Sequence, residues 1–395
     1  MDRRLLVLAA GMFAIGTDSF VIAGILPEVA RSLEVSISLA GQMVTLYALS
    51  YALLSPAIAA LAAHWPRKTL LLAGLLVFVA GNLITAIAPS IEWALASRLV
   101  AGLGAAMYSP TATATGASLV SPEKRASALA IVIAGLSSAT ALGSPIGTFI
   151  GGLASWRATM WFVTIVGLVA ALAVYLLLPR IAPQPAISLR QRLAPLKDAR
   201  VALTLLTTLV AFAGLFTVYT YIGVALGGVT EGRPGVLAGL LLLWGVAATA
   251  GNLVAGSLTD RFGSRMIINA SLAVAALDFV LMPWLATHLW GAAVVMALWG
   301  LCGWGLLVPQ QHRLISLTPS AAPLLLGLNS AALYVGVSSS GLIGGVGITL
   351  LAGAQLGYVG AAFLAAALFI ALHTSRLIAG EARPAAPPVA PRAVS

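Results

Sequence analysis

Apolar runs of about twenty residues recur from end to end of this 395-residue chain. A helix of that length crosses a hydrocarbon layer about 30 Å thick, and in lipid every backbone polar group must be satisfied within the structure, so only helices and closed barrels are open to such a chain. The runs lack two-residue alternation, which sets a barrel aside. Composition agrees: 60% of residues are hydrophobic and 8% charged, where a soluble domain has about a quarter charged. We read twelve transmembrane helices, over 5–26, 39–63, 69–89, 91–117, 126–152, 158–179, 201–226, 236–258, 266–286, 290–309, 322–352 and 357–375. The expected fold is an all-α integral membrane protein.

Charge gives an orientation, because Lys and Arg are retained on the cytoplasmic side. With the N-terminus inside, seventeen of the 21 basic residues fall in inner segments, three (Arg31, Arg157 and Arg233) in outer loops, and one, Arg98, within a span. Both termini are therefore expected to be cytoplasmic. The same bias explains the net charge of +10; the charge is spread over short inner loops beside lipid, so no nucleic-acid partner is expected. The single cysteine, Cys302, lies inside a span and allows no intramolecular disulfide. "MDRRLLVLAA" reads as the start of an uncleaved first helix, and "EARPAAPPVAPRAVS" as a disordered tail.

The longest inner segment, "RIAPQPAISLRQRLAPLKDAR", separates the sixth and seventh spans. It divides the chain into an N-terminal six-helix half (1–180), a cytoplasmic linker (181–200), a C-terminal six-helix half (201–380) and the tail (381–395). The halves repeat weakly at an offset of 197 residues: "AALAAHWPRK" (Ala59 to Lys68) aligns with "GSLTDRFGSR" (Gly256 to Arg265), and "GSPIGTFIGG" (Gly143 to Gly152) with "SGLIGGVGIT" (Ser340 to Thr349). Two related halves with a site between them near the midplane are a transporter architecture. Glycines in these runs let helices approach closely, and Pro145 can bend its helix.

These residues resemble the major facilitator superfamily over essentially the whole chain, and within it the twelve-span drug:proton antiporter family. The loop signature Gly-x-Leu-x-Asp-Arg-x-Gly-x-Arg is matched by Gly256, Leu258, Asp260, Arg261, Gly263 and Arg265. It is intact in the second half, whereas the first-half copy has Ala63, His64 and Pro66 where the family has Asp, Arg and Gly. "RLVAGLGAA" (Arg98 to Ala106) resembles the fourth-helix motif whose arginine is linked to proton transfer, and "GLSSATALGSPIGTFIGG" (Gly135 to Gly152) the antiporter motif of the fifth helix, with Ser144 where Gly is usual. "GTDSFVIAGILPEVA", "VYTYIG" and "PQQHRLISLTPSAAPLLLGLNSAALYVG" look like the branch holding sugar and arabinose efflux permeases, purine nucleoside exporters and drug efflux pumps. The resemblance implies two pseudo-symmetric six-helix halves in a bacterial inner membrane. It also implies a monomer, and a conformational gate formed by the Gly256–Arg265 loop with Gly143, Pro145 and Gly147.

The residue that most needs a reason is Asp18, in the middle of the first apolar run. Lost hydration raises the proton affinity of a carboxylate, and a neighbouring cation lowers it again. At about 1.5 Å per residue, Asp18 lies roughly 12 Å inside the outer end of its helix and Arg98 roughly 10 Å inside the outer start of the fourth. In the resembled fold both helices line the central cavity, so the two are expected to pair, directly or through water. Proton coupling is one reading; a structural interhelix hydrogen bond for Asp18, and an anchor for neighbouring carbonyls in the case of Arg98, is the other.

Tyr219, Tyr221, Trp244, Trp299, Trp304, Asn329 and Tyr334 fall on helices that line the cavity in the superfamily. With Asp18 they form the expected substrate-binding set, a partly aromatic wall facing an ionisable one, suited to amphipathic or cationic solutes. Asp278 lies mid-span in the ninth helix, which is peripheral in the resembled fold, and is read as structural. The four histidines have no metal-ligand spacing, and no cofactor is expected. No His-Glu-x-x-His, Gly-x-Ser-x-Gly or Gly-x-x-x-x-Gly-Lys motif is present, so neither hydrolysis nor ATP drive has a place, and energy must come from a gradient. One proton crossing 100 mV and one pH unit supplies about 2.3 plus about 1.4 kcal/mol, enough for roughly a 500-fold gradient of a neutral solute. The expected function is proton-coupled export of a small molecule such as a drug, sugar or nucleoside. An importer or passive facilitator of sugars or nucleosides is the alternative, and a non-transporting receptor or membrane-embedded enzyme a third class.

Overall fold

The computed structural model describes residues 3–62, 64–121, 124–181 and 189–381. Ala63 of the first-half loop, most of the Pro-containing linker segment and the C-terminal tail beyond Glu381 lie outside the described residues. Among the described residues are twelve long helical rods, numbered here α1 to α12. They are α1 (Arg3–Ser32), α2 (Ile37–Leu61), α3 (Arg67–Ala86), α4 (Ile91–Ser118), α5 (125–153), α6 (Trp156–Leu177), α7 (Ala199–Thr220), α8 (Pro234–Phe262), α9 (Ser264–Leu285), α10 (Leu289–Leu317), α11 (Ala322–Leu350) and α12 (Leu356–Glu381). Eleven are apolar enough to cross a membrane on composition alone. The twelfth rod, α4, carries Glu92 and Arg98 and is buried among the others.

The rods differ from the sequence expectation mainly at their ends. Helix α1 continues past residue 26 through Pro27 to Ser32. The seventh span does not run unbroken to 226: α7 stops at Thr220 and two single turns follow, Ile222–Ala225 and Gly227–Thr230. Helix α10 extends to Leu317, with a break at Leu306. Caps set several starts. Ser36 accepts from the Leu39 N–H and Ser155 from the Ala158 N–H, each satisfying a donor that the first turn leaves free. Asp198 caps α7 through the Arg200 N–H, and the Arg200 side chain bonded to it, with that backbone donor, holds the Asp198 carboxyl below its ordinary value. Within the rods, hydroxyls such as Thr17 and Thr217 donate to carbonyls one turn back, which satisfies them without water.

Close crossings are made by small residues, as expected where lipid offers no hydrophobic drive for helix association. Gly143, Gly147 and Gly151 form one stripe of α5, and a side chain on any of them would overlap Thr17, Val21 or Ile25 of α1. Just before that stripe α5 passes through a π turn, Ala139–Gly143, in which the Ser144 N–H donates to the Ala139 carbonyl. Pro145 follows directly; it lacks an N–H and its ring crowds the preceding turn, and the wider turn accommodates it.

The alternation of rods places the N-terminus, the α2–α3, α6–α7 and α8–α9 connections and the end of α12 on one face, here called the basic face. On the opposite face the two halves are in contact. Gln42 of α2 donates to the Gly341 carbonyl of α11 (3.1 Å), Gly223 packs on Pro27, and Gly152 packs on Pro234. Helix α8 runs along the 139–153 stretch of α5 and parts from 125–138. Toward the basic face, Gly256 of α8 and Gly327 of α11 look into open space. The halves are thus tied at one face, and toward the other α8 and α5 diverge.

Candidate functional site

Four consecutive residues of α1 fan out around the helix. At about 100° per residue, neighbours in sequence face different partners. Thr17 meets α5 at Gly143, Asp18 meets α4, Ser19 meets α2, and Phe20 meets the second half. The contact with α4 is the one anticipated from depth. Arg98 clasps Asp18 with both terminal nitrogens, Nη1 to Oδ1 at 2.9 Å and Nη2 to Oδ2 at 2.8 Å, and neither side chain is more than 1% exposed. The pair is direct.

Three neighbours complete its surroundings. Asn82 of α3 accepts from Arg98 Nη1 (3.2 Å). The Tyr47 ring of α2 lies 4.6 Å from the guanidinium carbon, within cation–π range. Ser19 donates to the Tyr47 hydroxyl (3.1 Å). The guanidinium Nε has no partner among the described residues. Burial of two charges is costly unless geometry is good and other bonds are satisfied, so a two-pronged pair held by an amide and a ring is how this fold keeps them inside.

A second group assembles beyond Phe20. Phe216, Tyr219, Trp244 and Trp304, from α7, α8 and α10, meet its ring directly, while Trp299 packs behind Tyr219 and Trp244, and Phe212 behind Phe216 and Trp304. Tyr219 and Trp244 are closest, at 4.6 Å between centroids. The Tyr219 hydroxyl donates to the Phe20 carbonyl (3.2 Å) and lies 3.3 Å from the Ser144 hydroxyl, so it bonds the second half to α1 and α5. Trp244 has no partner for its indole N–H among the described residues. Trp304 is the partly exposed member.

The remaining expected residues are placed apart from this cluster. Tyr334 of α11 stacks on Tyr51 of α2 at 3.9 Å, one helical turn from Tyr47, and so joins the halves beside the ion pair. Tyr221 is fully buried in the closed seam, donating to the Gly341 carbonyl (2.6 Å). Asn329 is also buried and accepts from Thr208 (2.8 Å), tying α11 to α7. Gly256, Asp260, Arg261, Gly263 and Arg265 lie at the α8–α9 turn on the basic face. Gly263 has φ +80°, a conformation side chains rarely adopt, which accounts for the glycine there. Asp260 is exposed and makes no ion pair among the described residues. Asp278 of α9 is buried, with neither carboxylate oxygen partnered among the described residues.

Sequence reasoning missed Asn82, Tyr47, Tyr51 and Phe20. Signals existed: Asn82 is a lone amide in the third apolar run, and "YALSY" puts two tyrosines four apart on one face of the second.

Comparison with known proteins accords with this architecture. The family model described as Major Facilitator Superfamily matches residues 8–341. The chain is 30% identical over 358 residues to the inner membrane transport protein YdhP of Escherichia coli (strain K12), covering 91% of each. It is 33% identical over 271 residues to a chloramphenicol resistance protein of Streptomyces lividans, covering 68% of this chain and 69% of that one. It is 29% identical over 371 residues to a probable sugar efflux transporter of Helicobacter acinonychis, covering 93% of each. With twelve rods and a family match over most of its length, the chain belongs to the Major Facilitator Superfamily of multi-pass membrane transporters.

Proposed function

We propose that this transporter exports a small amphipathic solute in exchange for protons, with Asp18 as the proton-exchanging carboxylate and Arg98 as its counter-ion. The observation that carries the reading is the two-pronged Asp18–Arg98 pair, sealed from solvent at the point where α1, α2, α3 and α4 meet. Protonation removes the charge that holds Arg98, leaving the guanidinium with Asn82 and the Tyr47 ring. The charged pair and the neutral acid therefore favour different packings of α1 against α4, which is the differential interaction that a coupled switch requires. Tyr219 and Phe20 join that same stretch of α1 to the second half, so a shift of α1 is felt across the interface.

The solute is held between the aromatic cluster, with Trp304 as its partly exposed edge, and Tyr334 beside the ion pair, with Asp18 at its polar end. Flat rings on several sides favour solutes with an apolar face. Export is supported by two relatives, one named for chloramphenicol resistance and one as a probable sugar efflux transporter. Both termini lie in the cytoplasm of a bacterial cell, the basic face being the inner one, and the protein works as a monomer. The conformer described here is then the one open to the cytoplasm. The Gly256–Arg265 loop, with Gly143, Pro145 and Gly147 on α5, serves as the gate that reverses it.

The deciding experiment places the purified protein in vesicles with an imposed pH difference and follows a panel of labelled sugars, nucleosides and cationic drugs. Wild type should accumulate at least one of them against its gradient. Asp18→Asn keeps size and hydrogen bonding but cannot titrate; it should bind solute yet lose uphill transport, and Asp18→Glu should keep part of it. Arg98→Lys should also be damaging, since Lys keeps the charge and loses the planar fork. Uphill accumulation by Asp18→Asn under a pH difference would refute the assignment. Equilibration by wild type that ignores the pH difference would instead mark a passive facilitator.

A further inference from the structure

Helices α9 and α12 leave a groove of about 650 Å³ between them on the lipid-facing surface of the second half. Phe262, the last residue of α8, stands at its mouth; its α9 wall runs from Arg265 past Asn269 to Ala273, and its α12 wall carries Leu368 and Leu372. From Arg265 to Ala273 is eight residues, or about 12 Å along the helix. The groove thus begins at the basic face and descends into the hydrocarbon layer. Because it opens on the membrane, its apolar length suits an acyl chain, and the residues at its polar end decide which headgroup fits there.

Two arginines stand there without an acid. Arg265 is exposed at the mouth. Arg313 of α10 is 4% exposed; its Nη2 donates to Ser375 (3.1 Å), and its Nη1 has no partner among the described residues. Ser375 lies three residues beyond Leu372 and seven beyond Leu368, near the same face of α12, so its bond holds Arg313 buried behind the α12 wall near the mouth of the groove. The two guanidiniums are close enough to repel one another. Asn269, on the opposite wall, has a buried carbonyl oxygen that is also unpartnered. The nearest carboxylate in sequence, Asp260, pairs with neither arginine among the described residues. A buried, unpaired arginine beside a second one is stable only with an anion at hand.

We propose that this groove binds one anionic phospholipid, its phosphate between Arg265 and Arg313 and one acyl chain along Ala273, Leu368 and Leu372. Phosphate suits the site because guanidinium forks recognise its oxygens in pairs, and the apolar groove adds what a soluble anion cannot use.

The test is native mass spectrometry of the full-length protein, with dioleoyl phosphatidylglycerol and dioleoyl phosphatidylcholine titrated separately. The anionic lipid should be retained about tenfold better. Arg265→Gln should weaken it about fivefold, which is about 1 kcal/mol, and leave the zwitterionic lipid unchanged. Ala273→Phe, at an exposed position that leaves both arginines in place, should weaken both lipids. Equal retention of the two lipids, or indifference to Arg265→Gln, would overturn the proposal. Displacement of phosphatidylglycerol by millimolar inorganic phosphate would also overturn it, by showing a soluble-anion site to which the groove contributes nothing.

Discussion

If Asp18 and Arg98 form one energetic unit, removing either should cost about as much as removing both. Each terminal nitrogen of Arg98 makes a charge-assisted bond to a different carboxylate oxygen, and such bonds are worth about 1.5–3 kcal/mol apiece. Asp18→Leu deletes both and strands a cation that is 1% exposed, leaving it only Asn82 and the Tyr47 ring. Losing one partner of a buried pair costs about 3–5 kcal/mol. Arg98→Met strands the carboxylate in the same way, with a similar loss. The double variant removes both charges and replaces them by apolar groups of comparable size, so it should recover most of the second penalty and be destabilised by less than the sum by about 3 kcal/mol. The assay is reversible unfolding in mixed micelles with rising dodecyl sulfate, followed by tryptophan fluorescence from the nine indoles. Additive losses across the four-member cycle would show that the two groups are not coupled, and the reasoning from their geometry would fail.

Three further outcomes are expected. Gly147→Val should lower stability by about 1–3 kcal/mol or more, since its side chain would overlap Val21 on α1; unchanged thermal unfolding would show that the glycine stripe does not set the α1–α5 distance. Asp260→Asn should impair solute transport strongly, while Ala63→Asp, which restores the acid of the first-half loop, should leave the rate within about twofold; equal tolerance at both positions would sink the idea that the second-half loop carries the inner latch. Asp198 has a depressed value in the fold, so its contribution is present above its unfolded value of 3.8 and is lost as pH falls through the lower folded one. The stability difference between wild type and Asp198→Ala, about 1 kcal/mol at pH 7 for a helix cap, should therefore shrink as pH falls below 3.8, and a difference that does not change with pH would contradict the cap.

Much of the architecture was legible because lipid leaves so few options. Length and apolarity marked all twelve rods, α4 among them although its composition falls short of the other eleven. Breaks inside spans were not legible. The stop at Thr220 and the bend at Leu306 depend on which carbonyls find partners among other helices, a property of packing rather than of local sequence. At the site, Asp18 and Arg98 could be matched by depth because Asp18 is the one charge in its apolar run and Arg98 the only basic residue inside a span. Asn82, Tyr47 and Tyr51 could not be matched so, because an amide or a phenol in a span has many structural uses. The aromatic set was identified by the helices it lies on, and three-dimensional placement then divided it: Tyr219, Trp244 and Trp304 gather on Phe20 with Trp299 behind them, whereas Tyr221 and Asn329 belong to helix seams.

The π turn of α5 also keeps phase. Gly135 packs against the Ala9 carbonyl of α1, and Gly143 against Thr17, eight residues on in both helices. Over eight residues an ordinary helix overshoots two turns by about 80°, so in an unbroken α5 the two glycines would face different neighbours. A π turn takes up nearly one residue more than an α turn, and placed between them at Ala139–Gly143 it brings the second glycine back toward the same side. The bulge thus acts as a vernier, letting one helix lie against α1 along its whole length in spite of the mismatch between helical period and glycine spacing. Deleting a single residue from 139–143 would undo that correction and turn Gly147 and Gly151 away from Val21 and Ile25 by about 100°, with side chains now entering α1 where hydrogen atoms had been.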